Sequence, residues 1–249
     1  MTDVKAQTIT RGGARYYVVV DAGGEVRQTP SVNTVNGAVK NVAIATWSEN
    51  RLMQAAFDHP ELAGDMNFVA YKRFLRAEAK KDTAAIERGN RIHEVCEAYF
   101  LGAVQEHPEA EWLVPLLDDF RVRHGVEHTH VERAMAYIDH HGVPVYAGTA
   151  DFIGTFDGTL SVLDWKSGKS IHSDAALTTS AYALCNHWIV DGLLVPMSDT
   201  EKPRQAVVVH VTDVELIPHR VASVEAFRPI WHSLRTVHDW LTNPPAVWA

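Results

Sequence analysis

Residues 146–169 read YAGTADFIGTFDGTLSVLDWKSGK, and the placement of their two central aspartates decides how the rest of the chain is understood. Asp157-Gly158 lies between two runs rich in Thr, Val, Ile, Phe and Trp. A two-residue type I′ turn needs positive φ at both central positions, which Asp-Gly tolerates, so the stretch is predicted to be a β-hairpin. The turn fixes a register in which Phe156 faces Thr159, Ile153 faces Val162, Asp151 faces Asp164 and Thr149 faces Lys166. Opposed side chains in such a ladder lie ~4.5 to 5.5 Å apart at Cβ, and like charges there are destabilising. A divalent cation would compensate them, since hard cations such as Mg²⁺ bind through one or two carboxylates plus waters and phosphate oxygens. Lys166 falls on the same face as Asp164, where an ammonium could orient or help deprotonate a metal-acidified water. The plainer alternative is that both aspartates cap strand ends and Lys166 neutralises them.

Four motifs extend this reading. Gly148-Thr149-Ala150-Asp151 resembles the G-T-x-D strand of the RecB-like exonuclease branch of the PD-(D/E)XK nuclease superfamily, and Leu163-Asp164-Trp165-Lys166-Ser167-Gly168-Lys169 resembles its [IL]-D-[WY]-K-[ST]-G-K strand. Arg88-Gly89-Asn90-Arg91-Ile92-His93 resembles its G-x-x-x-H helix, and Pro30-Ser31-Val32 its P-S-V motif. The resemblance spans about residues 30–185. It implies an α/β (α+β) fold with a restriction-endonuclease-like core, a mixed β-sheet flanked by helices. It also implies Mg²⁺ or Mn²⁺ held by Asp151, Asp164, the Trp165 carbonyl and His93, with Lys166 positioning water. Glu132 matches an acidic position on the first core strand, and Tyr182 the last residue of a Gln-x-x-x-Tyr pair whose first residue is here Thr178. His93 and Tyr182 could equally be core residues, and Glu132 an ordinary strand-end glutamate. The implied activity is a metal-dependent DNA exonuclease of recombination, repair or phage DNA processing. A structure-specific endonuclease and a non-catalytic nucleic-acid-binding assembly factor are the alternatives. Some relatives carry an iron-sulfur cluster, which needs about four thiolates; with only Cys96 and Cys185, none is expected here.

The chain has 249 residues, 46% of them hydrophobic, enough for one large core or a core with an accessory lobe. No apolar run approaches the ~20 residues of a membrane helix and no signal peptide is recognisable, so a cytoplasmic protein without membrane contact is expected. A net charge of −8 looks wrong for a protein that holds nucleic acid, but its distribution matters more. Lys72, Arg73, Arg76, Lys80, Lys81, Arg88 and Arg91 face only Glu78, Asp82 and Glu87, so this segment carries +4. A basic face on an acidic body fits a phosphate footprint, or else a solvated helix face. Phe68, Tyr71 and Phe74 are interleaved with the cations, as a channel for single-stranded DNA with a free end would require.

Along the chain, residues 14–29 suggest a hairpin outside the core, and Ser31 a cap for a short helix through Lys40. Helices are expected at 46–57 and at 65–80, the second capped by Asp65, as a lobe roofing the site. A helix from Asp82 to Leu101, capped at Asp82 or Thr83 and closed by Gly102, should turn Ile86, Gly89, His93, Cys96 and Phe100 inward, with Glu97 holding the second ring nitrogen of His93. Further expectations are a helix at 109–122, a polar loop at 124–130, strands at Glu132–Tyr137 and Gln205–Val211, a Ser173-capped helix at 174–190, and a closing amphipathic helix at 223–241. No linker divides the chain, so one domain over 1–249 is expected, with 14–80 as hairpin and lobe and 82–212 as core.

Overall fold

The computed structural model describes residues 6–21, 23–37, 42–79, 83–104 and 107–243. The strands are β1 (Thr8–Arg11), β2 (Ala14–Val20), β3 (Val26–Pro30), β4 (Glu127–Ile138), β5 (Pro144–Phe156), β6 (Thr159–Lys166), β7 (His187–Val190), β8 (Leu193–Pro196), β9 (Gln205–Val211) and β10 (Leu216–Arg220). The helices are α1 (Val32–Asn36), α2 (Val42–Asp58), α3 (Leu62–Asp65), α4 (Phe68–Glu78), α5 (Ala84–Phe100), α6 (Ala110–His124), α7 (Ser173–Leu184) and α8 (Arg228–Thr242). The ten strands of the described residues join one mixed sheet, ordered β1-β2-β8-β7-β4-β5-β6-β9-β10 with β3 on β2. The fold is therefore α+β. No helix among the described residues is long and apolar enough to cross a membrane.

The β5–β6 hairpin forms as its turn chemistry dictates. Asp157 and Gly158 take φ of 47° and 75°, and Phe156↔Thr159 and Ile153↔Val162 are paired. The turn is tied down from outside: the Asp157 carboxylate receives His124, at the end of α6, and Arg220 of β10. Period-2 alternation then sends Phe152, Leu163 and Trp165 into a core with Ile92, Cys96, Leu117 and Phe120 of α5 and α6. Ile153 and Val162 go to the other face, with Val32, Ala181 and Trp231 of α1, α7 and α8. Helices cover both faces, which is why β9, QAVVVHV, reads as a nearly continuous apolar run.

Several expected elements shift. β4 begins at Glu127, within the expected polar loop, because Gly125 (φ 55°) ends α6 and the backbone pairs at once with β5, Glu127↔Thr155. Helix α7 stops at Leu184 rather than 190. Residues 187–196 instead form the β7–β8 hairpin, which turns on Asp191-Gly192 with φ of 50° and 81°. Ser31 does cap α1, accepting from Thr34 N at 3.1 Å, but the helix ends at Asn36, and Lys40 lies outside the described residues. Asn67, not Asp65, caps α4, accepting from Ala70 N at 3.0 Å. On α5 the buried residues are Ile92, Val95, Cys96 and Phe100, whereas Ile86 is exposed. Asp82, Lys80 and Lys81 lie outside the described residues. The closing helix α8 starts at Arg228, after a 3₁₀ turn at Glu225–Phe227, with Trp231 buried and Trp240 exposed.

Backbone proximity groups Met1–Ala38 with Arg91–Ala249 in one compact unit and Val39–Asn90 in another. The lobe expected at 14–80 thus divides. Its hairpin, β2–β3, joins the large sheet through β8, Val20↔Leu193, while α2, α3 and α4 belong to the smaller unit. Within that unit Tyr71 donates to the His59 carbonyl at 3.5 Å and Phe74 stands edge-on to the His59 ring at 5.1 Å. Phe68, by contrast, is 76% exposed.

Candidate active site

The hairpin ladder ends at Phe152↔Leu163. Beyond it, β6 stays paired with β9, Asp164↔Val208 and Lys166↔His210, while β5 continues against β4. Asp151 and Asp164, and Thr149 and Lys166, are therefore not ladder partners as the register predicted; the two strands have parted. The Asp151 carboxylate bridges the gap, its Oδ2 lying 3.4 Å from the Trp165 backbone N–H that donates to it. On its other side the β4–β5 pairs Val131↔Phe152 and Arg133↔Ala150 flank a break at Glu132, which takes φ of 51°, uncommon for a residue other than glycine. Asp151 is thus passed over by both neighbouring ladders. It sits where the sheet opens, and Glu132, exposed, lies across from it.

Into this opening the structure brings four charged side chains. Lys166 Nζ lies 2.5 Å from Asp164 Oδ2 and donates to the Trp165 carbonyl at 3.4 Å. His93 of α5 places Nδ1 3.2 Å from Asp151 Oδ2. Asp164 is only 4% exposed, and burial pushes its pKa up to about 6; the Lys166 ammonium opposes that rise and Asp151 adds to it. Burial would also raise the Asp151 carboxyl, but His93 and Lys166 outweigh it and hold it below the usual value. Burial alone would lower His93 and Lys166; the carboxylates prevail and raise both, Asp151 acting on His93 and Asp164 with Asp151 on Lys166. Lys166 is accordingly an ammonium at neutral pH, a hydrogen-bond donor and not a base.

Tyr182 of α7 closes the back of the opening. It is 8% exposed, and burial followed by the charges of Asp151 and Asp164 keeps its phenol protonated. The ring lies against β5 at Gly148, where an added Cβ would come within 2.5 Å of Tyr182 Cε1 and 3.1 Å of Val32 Cγ2. This gives the glycine of the G-T-x-D strand a steric reason. Thr178, one turn before Tyr182, receives a 3.4 Å hydrogen bond from Asn36 Nδ2 of α1.

Two carboxylates, an imidazole and a backbone carbonyl are a donor set suited to Mg²⁺ or Mn²⁺. The fit is supported by Asp164 Oδ2, which is buried and, although ion-paired, has no hydrogen bond of proper geometry. Among the described residues no three His, Cys, Asp or Glu side chains already converge as a metal cage. Asp151 is instead drawn to His93 and Asp164 to Lys166, as mutually neutralising pairs. His93 finds its partner in Asp151 and not in Glu97.

The expected DNA-binding cations divide. Arg91 Nε is bound to Glu109 at 3.0 Å, and Glu109 also accepts from Trp112, so this cation serves the packing of α5 on α6. Arg88 too has an interaction partner. Lys72, Arg73 and Arg76 are exposed on α4, and Lys72 Nζ lies 5.9 Å from the centre of the Phe68 ring. With Phe68 and Val69 they form one stripe at helical spacing, while Tyr71 and Phe74 face inward. Sequence reasoning missed Tyr17 of β2, whose hydroxyl is 2.9 Å from Thr149 Oγ1, and Asn36. Neither lies in a motif; only the pairing of distant strands brings them here. Cys96 and Cys185 are both buried and free. No family model and no curated protein matches this chain.

Proposed function

We propose that this chain is a metal-dependent deoxyribonuclease, an exonuclease that hydrolyses phosphodiester bonds from the ends of single-stranded DNA in the cytoplasm. The observation that carries the reading is the meeting of Asp151, Asp164, Lys166 and His93, from three separate elements, at a split in the sheet. Like-charged carboxylates and their countercharges are costly to bury unless they serve a ligand or one another. Mg²⁺ or Mn²⁺, held by Asp151, Asp164, the Trp165 carbonyl and His93, would supply Lewis acidity toward the phosphate and a more acidic bound water.

The remaining work falls to the protein. Asp164 must give up its proton, which its raised pKa makes easiest above about pH 6. Lys166, held protonated, donates to a phosphate oxygen that gains charge as water attacks and the P–O bond to the leaving nucleotide breaks, while the proton of the attacking water passes to solvent. His93 keeps Asp151 ionised. The exposed stripe on α4 supports a single-strand substrate: Lys72, Arg73 and Arg76 match phosphates, and Phe68 offers a face to an unpaired base.

The test is to incubate labelled linear single-stranded DNA, a circle of equal length and a blunt duplex with wild type and Asp164→Ala, in Mg²⁺, Mn²⁺ or EDTA. Degradation of the linear strand by wild type alone, and only with metal, is expected. Rapid cutting of the circle would replace this reading with the endonuclease, and binding without turnover would replace it with the assembly factor.

A further inference from the structure

The N-terminal hairpin has no place in the chemistry described so far, yet Tyr17 reaches from β2 to the strand that carries Asp151. Its hydroxyl and the Thr149 hydroxyl are 2.9 Å apart. Thr149 stands two residues before Asp151, hence on the same face of β5. Both are half-buried, between buried Gly148, Ala150 and Phe152, so both keep some access to solvent on that face.

Two hydroxyls share two protons, and one proton makes the bond between them. Burial decides which. Tyr17 is 2% exposed and clusters with Ala134, Ala136, Ala147 and Ile189. If Thr149 were the donor, the phenol proton would need a second acceptor inside the fold, where the Glu132 charge is felt but, among the described residues, no further hydrogen bond joins the Tyr17 hydroxyl. If Tyr17 is the donor, its proton is satisfied and the spare one belongs to Thr149, which keeps access to solvent. The phenol keeps that proton at neutral pH, because burial raises its pKa.

We propose that Thr149 is a substrate-binding residue that donates its free O–H to a phosphodiester oxygen beside Asp151, and that Tyr17 is the positioning residue that turns the Thr149 hydroxyl outward. This rests on the nuclease reading above. It makes the N-terminal hairpin part of the site and not an appendage to it.

The test compares wild type, Tyr17→Phe, Thr149→Val, Thr149→Ser and the Tyr17→Phe/Thr149→Val double variant. Affinity for a fluorescent oligothymidine would be measured in Ca²⁺, and thermal unfolding with Mn²⁺ or EDTA. One hydrogen bond to a charged oxygen corresponds to about a tenfold change. Thr149→Val is expected to weaken binding about tenfold and Thr149→Ser to restore it. Tyr17→Phe is expected to weaken binding in the wild-type background and to add nothing to Thr149→Val. The Mn²⁺-induced rise in Tm should be unchanged in all variants, since neither hydroxyl is a metal ligand. Equal affinity of Tyr17→Phe and wild type, or losses that multiply in the double variant, would overturn the inference while leaving the nuclease reading intact. A wild type that neither binds the oligonucleotide nor responds to Mn²⁺ would overturn both.

Discussion

Asp164 is a carboxyl with opposing demands on it. Burial favours its neutral form and Lys166 its ionised form, and the balance leaves its pKa raised from the ordinary carboxylate range to about 6. The folded state therefore holds a proton between those values that the unfolded state has released, and stability falls as pH rises through this window. In EDTA, unfolding followed from about pH 7 down to pH 4 should show wild type gaining stability relative to Asp164→Asn, which has no proton to take up. Parallel curves for the two proteins would refute the raised value. Lys166 makes a different prediction. If it donates to groups that gain charge only in the transition state, Lys166→Ala should cut turnover by about a hundredfold or more. DNA affinity in Ca²⁺ should stay within a few fold, and equal losses in both would make Lys166 a phosphate anchor.

Among the elements, β5 and α7 depend on one another through a missing side chain. Gly148→Ala would force its Cβ into the Tyr182 ring and Val32, and overpacking of this kind costs ~1 to 3 kcal/mol. The Tm should drop accordingly, and Tyr182→Leu in the same chain should recover part of the loss by making room. If the alanine is tolerated without change, the ring does not lie against Gly148. Helix α4 should behave in the opposite way. Its cations are exposed, so replacing Lys72, Arg73 and Arg76 with Gln should leave Tm nearly unchanged. Each lost phosphate contact should reduce the slope of log affinity against log salt by about 0.7 for a single strand. An unaltered salt slope would return the stripe to a solvated helix face.

For the whole molecule, folding brings carboxylates from β5 and β6 together, so anything that binds both stabilises the native state by linkage. Millimolar Mn²⁺ should raise Tm relative to EDTA, and Asp151→Asn should diminish the shift. Identical melting in Mn²⁺ and EDTA would remove the metal site. The assembly also explains what was legible beforehand. Asp157-Gly158 announced its hairpin, and the identical dipeptide Asp191-Gly192, between HWIV and LLVP, carried the same signal for β7–β8. There the helical spacing of α7 continues in the sequence across Cys185 and masks it. The first residues of β4 are polar and do not signal a strand; pairing with β5 overrides their pattern, as tertiary context often does.

The sequence by itself determined the hairpin, its register as far as Phe152↔Leu163, and the shared face of Asp164 and Lys166, because turn chemistry and period-2 alternation are local properties of the chain. It likewise placed His93 on a helix and gathered the cations of α4 into a basic face, which the structure narrows to one exposed stripe. Only the tertiary structure decided that β5 and β6 part at Asp151, since the split depends on β6 following β9 while β5 follows β4. Nor could local spacing show that Arg91 is held by Glu109, that Gly148 makes room for Tyr182, or that Tyr17 meets Thr149 across 132 residues. Those are encounters between distant segments, and strand order and packing set them.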